Sequence, residues 1–341
     1  EELRNRLIGL RDSFTGVSSI DRLLGDASTR VFFRLFLESG GTAVAMCYPL
    51  ESYTDIPAFV DIQNYLARLD LPVPSILERF DDFGILVLED LGENLLENAV
   101  QDIGLMRRHQ MYTSAVDLIS RMIESTHSSS LSCHAHELAF DFEKLSFEMD
   151  FFVEHFIHGF LKADLDHETR KSLRESLYAL CDTLAREPRF FVHRDYHARN
   201  LMVRDQALYM IDFQDARMGP LQYDLVSLLR DSYVTIESSI RETLIDRFYV
   251  ATKRLSKQSA ERFRLVFNLM ALQRNLKALG TFGYQTTVIG SNRYRSSINR
   301  TISYIEENLV NNPNLIKNAD MILDLLSLAS LTTLADLPST D

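Results

Sequence analysis

The sequence predicts an α+β fold in which a small β-rich N-terminal part is followed by a larger helical part. Two observations carry this. In the first ninety residues, short runs of β-branched and aromatic residues alternate with turn residues, the pattern of strands and hairpins. From about residue 95 onward, apolar residues recur mostly at helical spacing.

VFFRLFL (31–37) and TAVAMCY (42–48) predict two strands, with Ser39-Gly40-Gly41 between them as a hairpin turn. AFVDIQNYLARLD (58–70) has helical periodicity and stops before LPVP, where two prolines prevent continuation. ILERF and GILVLE (84–89) predict two more strands joined through Asp81-Asp82. Residues 105–127 and 141–161 predict helices, the second through Phe142, Leu145, Met149, Phe152, Phe156 and Phe160. A further helix is predicted from Asp166, whose carboxylate can cap the first turn, to Pro188. FFVH (190–193) and ALYMIDF (207–213) predict short strands, and helices resume from Leu221.

Lys plus Arg number 36 against 48 Asp plus Glu, a formal charge of −12. This argues against a nucleic-acid-binding surface. No apolar run reaches the length of a membrane helix, and EELRNRLIGL reads as a charged amphipathic start rather than a secretion signal. Cys47, Cys133 and Cys181 form no CxxC pair. A cytoplasmic protein, with no nucleic-acid or membrane partner, is the expectation.

The chemistry concentrates in HRDYHARN (193–200) and MIDFQDA (210–216). Phosphoryl transfer from a nucleotide requires an aligned acceptor hydroxyl, a place for its proton, and magnesium against the phosphate charge. Asp195 suits the first two tasks as the catalytic base. Asn200 and Asp212 suit magnesium, a hard cation that prefers oxygen ligands. Asp195 and Asn200 have the D-x-x-x-x-N spacing of kinase catalytic loops, and Asp212 follows at the end of a short strand. A competing reading takes His193, Asp195 and His197 as zinc ligands on one strand face; no further Cys or His cluster completes that site. His134 and His136 beside Cys133 read as exposed loop residues. Glu148 and Asp150 could face a substrate, although the Phe-rich helix carrying them reads as core.

HRDYHARN followed by IDFQDARMGPLQYDL resembles the aminoglycoside phosphotransferase and choline kinase branch of the protein-kinase-like superfamily. GDAS (25–28), LEDLG (88–92), HRDYHARNLM, IDFQDAR and MALQRNLKALG (270–280) resemble, more narrowly, the bacterial N-acetylmuramate/N-acetylglucosamine anomeric kinases. The resemblance implies a bilobal protein-kinase-like fold, with an N-lobe over 1–90, a helical C-lobe over 91–341, and nucleotide between them. It implies ATP and Mg²⁺ as cofactors and an amino sugar as acceptor. It places Gly25, Ser28, Thr29 and Arg30 on a phosphate-covering loop, Glu89 and Leu91 at an adenine-binding hinge, and Gln273, Arg274 and Asn275 at the sugar. His193 and Asp224 are structural supports in this reading, with Asp224 accepting hydrogen bonds from catalytic-loop amides. His197 is either structural or near the phosphates, and Asp215 either a metal-shell residue or solvated.

Two departures stand out. The third-strand Lys of kinases is replaced by Cys47 in TAVAMC, and the helix that would supply its acidic partner has Asp61. The covering loop keeps Gly25 but lacks G-x-G-x-x-G. Arg30, Arg34 or Arg199 could supply the missing positive charge, with Arg30 favoured by its place in the loop. A nucleotide-binding pseudokinase scaffold is the alternative of a different class. Among acceptors, a muramyl sugar's carboxylate suits Arg274 or Lys277, whereas a polycationic aminoglycoside would require an acidic cleft.

Overall fold

The computed structural model describes residues 16–23 and 30–335. Two compact units make up the chain: Glu1–Gln101 with Ser128–Ala135 and Arg199–Ala216, and Asp102–His127 with His136–Ala198 and Arg217–Asp341. Residues 199–216, which a single cut at residue 90 would leave with the helices, therefore belong to the sheet-bearing unit.

In that unit β1 (Val17–Leu23), β2 (Val31–Leu37), β3 (Thr42–Cys47), β4 (Ile76–Phe80) and β5 (Ile85–Glu89) form one antiparallel sheet in the order β1-β2-β3-β5-β4. The period-two alternation of strand side chains puts Leu35, Ala43, Ala45, Cys47, Ile85 and Val87 into one core cluster, flanked by Phe33 and Leu37. Register pairs Phe33 with Ala45 and Leu35 with Ala43, so small residues lie opposite large ones. The β2–β3 turn requires left-handed backbone at Gly40 and Gly41, both at φ near +90° (+86° and +89°). α1 (Ile56–Arg68) carries Pro57 in its first turn, where a missing N–H costs nothing. α2 (Leu96–Ala99) and the hairpin of β7 (Leu201–Arg204) with β8 (Ala207–Met210) complete the unit. Backbone bonds from Val203 to Asn94 and from Met210 to Pro72 fasten this hairpin.

The second unit holds α3 (Leu105–Ser128, its last residue counted with the sheet unit), α4 (Phe142–Phe152), α5 (His167–Ala185), α6 (Tyr223–Leu229), α7 (Ser238–Ser256), α8 (Ala260–Thr287), α9 (Arg295–Asn311) and α10 (Ala319–Ala335). Strands β6 (Arg189–Val192) and β9 (Arg217–Pro220) pair antiparallel beside them. Asp141, Asp166 and Ser259 cap α4, α5 and α8, each accepting the backbone N–H three residues on. The central α8 packs on α4, α6 and α9.

The single helix predicted over 141–161 divides. α4 ends at Phe152, and Val153–Phe160 forms a π-helical segment. This segment lies against α8, where Gly280 and Gly283 permit backbone-to-backbone approach. A Cβ at Gly283 would lie 2.4 Å from the carbonyl oxygen of His155, and one at Gly280 would lie 2.8 Å from Phe152 Cα. Phe152, Phe156 and Phe160 still stack in sequence, with centroids 5.8 and 5.3 Å apart, so the core ladder survives the change of helix type. Neither histidine expected to be exposed after Cys133 is so. Both are half-buried, and His136 tilts against Phe191 with centroids 6.2 Å apart. No helix among the described residues is long and apolar enough to cross a membrane.

Gly283→Ala should destabilise the protein by about 1–3 kcal/mol, the usual cost of overpacking. Gly104→Ala, whose Cβ meets no atom within 4 Å, should leave the urea midpoint nearly unchanged. Equal midpoints for the two variants would contradict the close approach of α8.

Candidate active site

In the sheet-bearing unit, Asp212 is the centre of a polar cluster. Arg30 Nη2 lies 2.5 Å from Asp212 Oδ1, while Arg30 Nη1 donates to Gln214 Oε1 at 3.0 Å. Gln214 Nε2 donates to the same Oδ1 at 3.0 Å. On the other carboxylate oxygen, Asn200 Nδ2 stands 3.4 Å away, and the Asn200 carbonyl accepts from the Ile211 amide. Asp212 has left-handed backbone, φ +64°, a conformation that costs energy in a non-glycine residue and concentrates at functional sites. Arg30, the residue just before β2, also approaches Met46 Sδ near the end of β3 at 3.7 Å. Nearby, burial pushes the Tyr48 phenol up to about 12, against the opposing pull of Arg30.

The other cations have commitments elsewhere. Arg34 pairs with Asp90 at 2.7 Å and with Glu93. Arg199 makes a two-pronged pair with Glu97, at 2.8 and 3.0 Å. Asp61 accepts the His134 amide at 2.6 Å, so it is engaged by a loop. Glu89 pairs with Arg204 at 2.7 Å and accepts from Ser75, and Leu91 is buried. Gly25, Ser28 and Thr29 lie outside the described residues.

Asp212 and Asn200 offer a carboxylate and an amide, hard donors whose oxygens suit magnesium once the Asn200 amide is turned. Oδ2 of Asp212 faces Asn200, while Oδ1 is engaged by Arg30 and Gln214. The donor set therefore fits a cation that retains several waters. Among the described residues no three His, Cys, Asp or Glu side chains are grouped to hold a metal, which removes the zinc reading of His193, Asp195 and His197.

In the helical unit, Asp195 sits on a loop tied down by two buried carboxylates. Asp224 Oδ2 accepts the His193 amide at 2.7 Å and Oδ1 the Arg194 amide at 3.0 Å. Asp231, just past the end of α6, accepts the Ala198 amide at 3.0 Å and the Tyr233 amide at 2.8 Å. The loop is thus held on both sides of Asp195. Arg194 adopts φ +79°. The His193 ring is buried edge-on to Tyr196, whose hydroxyl donates to the Ala115 carbonyl.

Asp195 opens onto a cavity lined by His197, Ser227, Arg230, Tyr233, Arg274 and Lys277, among others. Arg274 Nη2 and Lys277 Nζ each lie 3.8 Å from Asp195 Oδ1, and Arg194 Nε lies 3.8 Å from Oδ2. Burial alone would raise the Asp195 carboxyl, but the Lys277, Arg194 and Arg274 charges outweigh it and hold it well below the usual carboxylate range. Arg274 also donates to Ser227 Oγ and the Arg194 carbonyl. Asn275 lines the cavity and donates to the Arg230 carbonyl at 3.3 Å. Gln273 does not face Asp195; it is fully buried and donates to Glu148 at 2.9 Å. Glu148 is itself core, and Asp150 accepts from Tyr178.

Sequence reasoning missed Asp231, whose signal was an acid at the end of the apolar run LVSLL. It also missed Tyr233 and Phe282 on the cavity wall, which no local pattern marks.

Desolvation raises the Asp224 carboxyl to about 7, against the His193 and Arg194 amides that lower it. The native state therefore binds a proton that the unfolded chain releases near pH 4, and the stability it contributes fades as pH rises through 7. Asp224→Asn lacks this titration and leaves one loop amide facing an NH₂ group, a cost of about 1–3 kcal/mol. Guanidinium unfolding at pH 5 and pH 8 should show a wild-type advantage that is smaller at pH 8. A gap independent of pH would contradict the raised carboxyl.

Curated relatives extend the comparison along most of the chain. The N-acetylmuramate/N-acetylglucosamine kinase of Neisseria meningitidis serogroup B is 28% identical over 284 residues, covering 82% of each chain. The protein of the same name from Pseudomonas aeruginosa is 27% identical, covering 88% of this chain and 86% of its own. Among solved structures, choline kinase LicA from Streptococcus pneumoniae superposes with TM-score 0.62 at 14% identity, covering 91% of this chain and all (100%) of that one. An ADP-bound aminoglycoside phosphotransferase matches equally, with TM-score 0.62 over 94% of this chain and 99% of its own. These neighbours share the protein-kinase-like fold. The phosphotransferase enzyme family profile matches residues 19–257, and the chain belongs to that family.

Proposed function

We propose that the chain transfers the γ-phosphoryl group of ATP to the anomeric hydroxyl of N-acetylmuramate or N-acetylglucosamine. The observation that carries this reading is the cavity at Asp195, where Arg230, Arg274 and Lys277 are set beside the aromatic rings of Tyr233 and Phe282. Fixed cations suit a neutral or carboxylate-bearing sugar and repel a polycationic aminoglycoside, while aromatic faces suit the apolar side of a sugar ring. The relatives' names support the same acceptor.

In this mechanism Asp195 accepts a hydrogen bond from the C1 hydroxyl and directs its oxygen at phosphorus. The new P–O bond forms as the bond to the ADP oxygen breaks, and the hydroxyl proton passes to Asp195 and then to solvent. A strongly ionised Asp195 acts chiefly by orientation, which suits a loose transition state with late proton transfer. Asn200 and Asp212 would hold Mg²⁺, which neutralises charge on the phosphates. Gly25, Ser28, Thr29 and Arg30 would face those phosphates, with Arg30 taking the part of the absent third-strand Lys, and the backbone of Glu89 and Leu91 would meet adenine.

Asp195→Ala should lower kcat on the order of 10²-fold or more while nucleotide binding persists. Asp212→Ala should abolish turnover together with its magnesium dependence. An acceptor panel of N-acetylated hexosamines and aminoglycosides tests the substrate, with ADP release as readout. Preference for kanamycin-type acceptors would overturn the sugar assignment. Thermal stabilisation by ATP·Mg²⁺ without ADP release on any acceptor would instead indicate a nucleotide-binding scaffold.

A further inference from the structure

α8 presents Arg274, Lys277, Ala278 and Thr281 to the cavity, the i, i+3, i+4, i+7 stripe of one helix face. Its two cations stand at the same distance from Asp195 but are held differently. Arg274 is locked by Ser227 and the Arg194 carbonyl, and its guanidinium lies 5.4 Å from the centre of the Tyr223 ring. Lys277 has one ion-pair contact among the described residues, the 3.8 Å approach to Asp195 Oδ1, and 19% of its side chain is exposed. Removing a Lys from water is costly, and burial lowers its own affinity for a proton against the pull of Asp195 and Glu148. A surface cation mobile enough to avoid this cost would serve equally well if bulk charge were all that mattered.

We infer that Lys277 is a positioning residue for the phosphoryl transfer: its ammonium fixes the charge and direction of the Asp195 carboxylate that receives the sugar hydroxyl. The inference rests on the reading of Asp195 as the acceptor-orienting group. The charged surroundings of that carboxylate are Arg194 and His197 on its own loop, Arg274 and Lys277 on α8, and Tyr223 and Asp224 on α6. Lys277 in turn faces Glu148 of α4 as well as Arg274 and Arg194. Arg274 is committed to Ser227 and the Arg194 carbonyl, and Arg194 is part of the loop itself, so Lys277 is the member of the set whose removal changes charge with least change of fold.

The full chain is compared with Lys277→Met, Lys277→Gln and Lys277→Arg, with circular dichroism and thermal unfolding as folding controls. Both neutral variants should lower kcat at least about tenfold while the KM for ATP stays within about threefold, the signature of a transition-state rather than a binding effect. Their kcat should begin to fall on the acid side at a higher pH than that of the wild type, and Lys277→Arg should restore the wild-type profile. A second readout needs no acceptor. In protein labelled with ¹³C at Asp carboxyls, the Asp195 resonance, identified by its absence from Asp195→Asn, should titrate at higher pH in the neutral variants. An unchanged resonance and pH profile in Lys277→Gln overturns the inference, as does a loss confined to the sugar KM. Failure of the wild type to phosphorylate any N-acetylated sugar overturns the acceptor assignment instead, and the carboxyl titration then still decides the role of Lys277.

Discussion

The Asp195 loop of the helical unit depends on two buried carboxylates that accept backbone N–H groups. Asp224 takes the amides of His193 and Arg194, and Asp231 takes that of Ala198. Loop amides that run through protein rather than over water must find acceptors or remain a cost. Here one acceptor stands on α6 and the other just beyond its end, and the loop is pinned on either side of Asp195. Arg194 can then hold its left-handed backbone, because its neighbours over-determine it.

Charge is arranged around this frame with a clear asymmetry. For Asp224, desolvation outweighs the two loop amides and the Arg274 charge, so it rises toward neutrality, whereas Asp195 faces three cations and remains a carboxylate. Two acids within one loop system thereby acquire separate tasks, one structural and one directed into the cavity. In the sheet-bearing unit charge is set by Arg30, the residue just before β2, which pairs with Asp212 and approaches Met46 Sδ near the end of β3. A cation is thus held against Asp212 although β3 itself carries no Lys or Arg.

Much of the fold was legible because its elements are marked locally. Alternation fixed β2 and β3, Gly40 and Gly41 fixed their turn, and Asp166 marked the start of α5. The π-helical segment was not legible. Its Phe spacing is compatible with an α-helix, and the helix it packs against, with the close approach at Gly280 and Gly283, lies more than a hundred residues away. Similarly, QRNLKAL showed that polar residues enter α8 but not which of them face Asp195. That helix is buried on most sides, so no contrast of polar and apolar faces reveals its rotation, and Gln273 turned out to face Glu148.

The sequence by itself determined which side chains can do chemistry and in what chain order: Asp195, then Asn200, then Asp212, with Asp224 beyond them. Such spacing is short-range, and short loops leave little freedom to place those groups otherwise. Tertiary structure alone decided the company each carboxylate keeps. Arg274 and Lys277 reach Asp195, and Arg30 reaches Asp212, across separations at which the chain imposes no geometry. Electrostatic effect depends on distance and burial, which packing sets and composition does not.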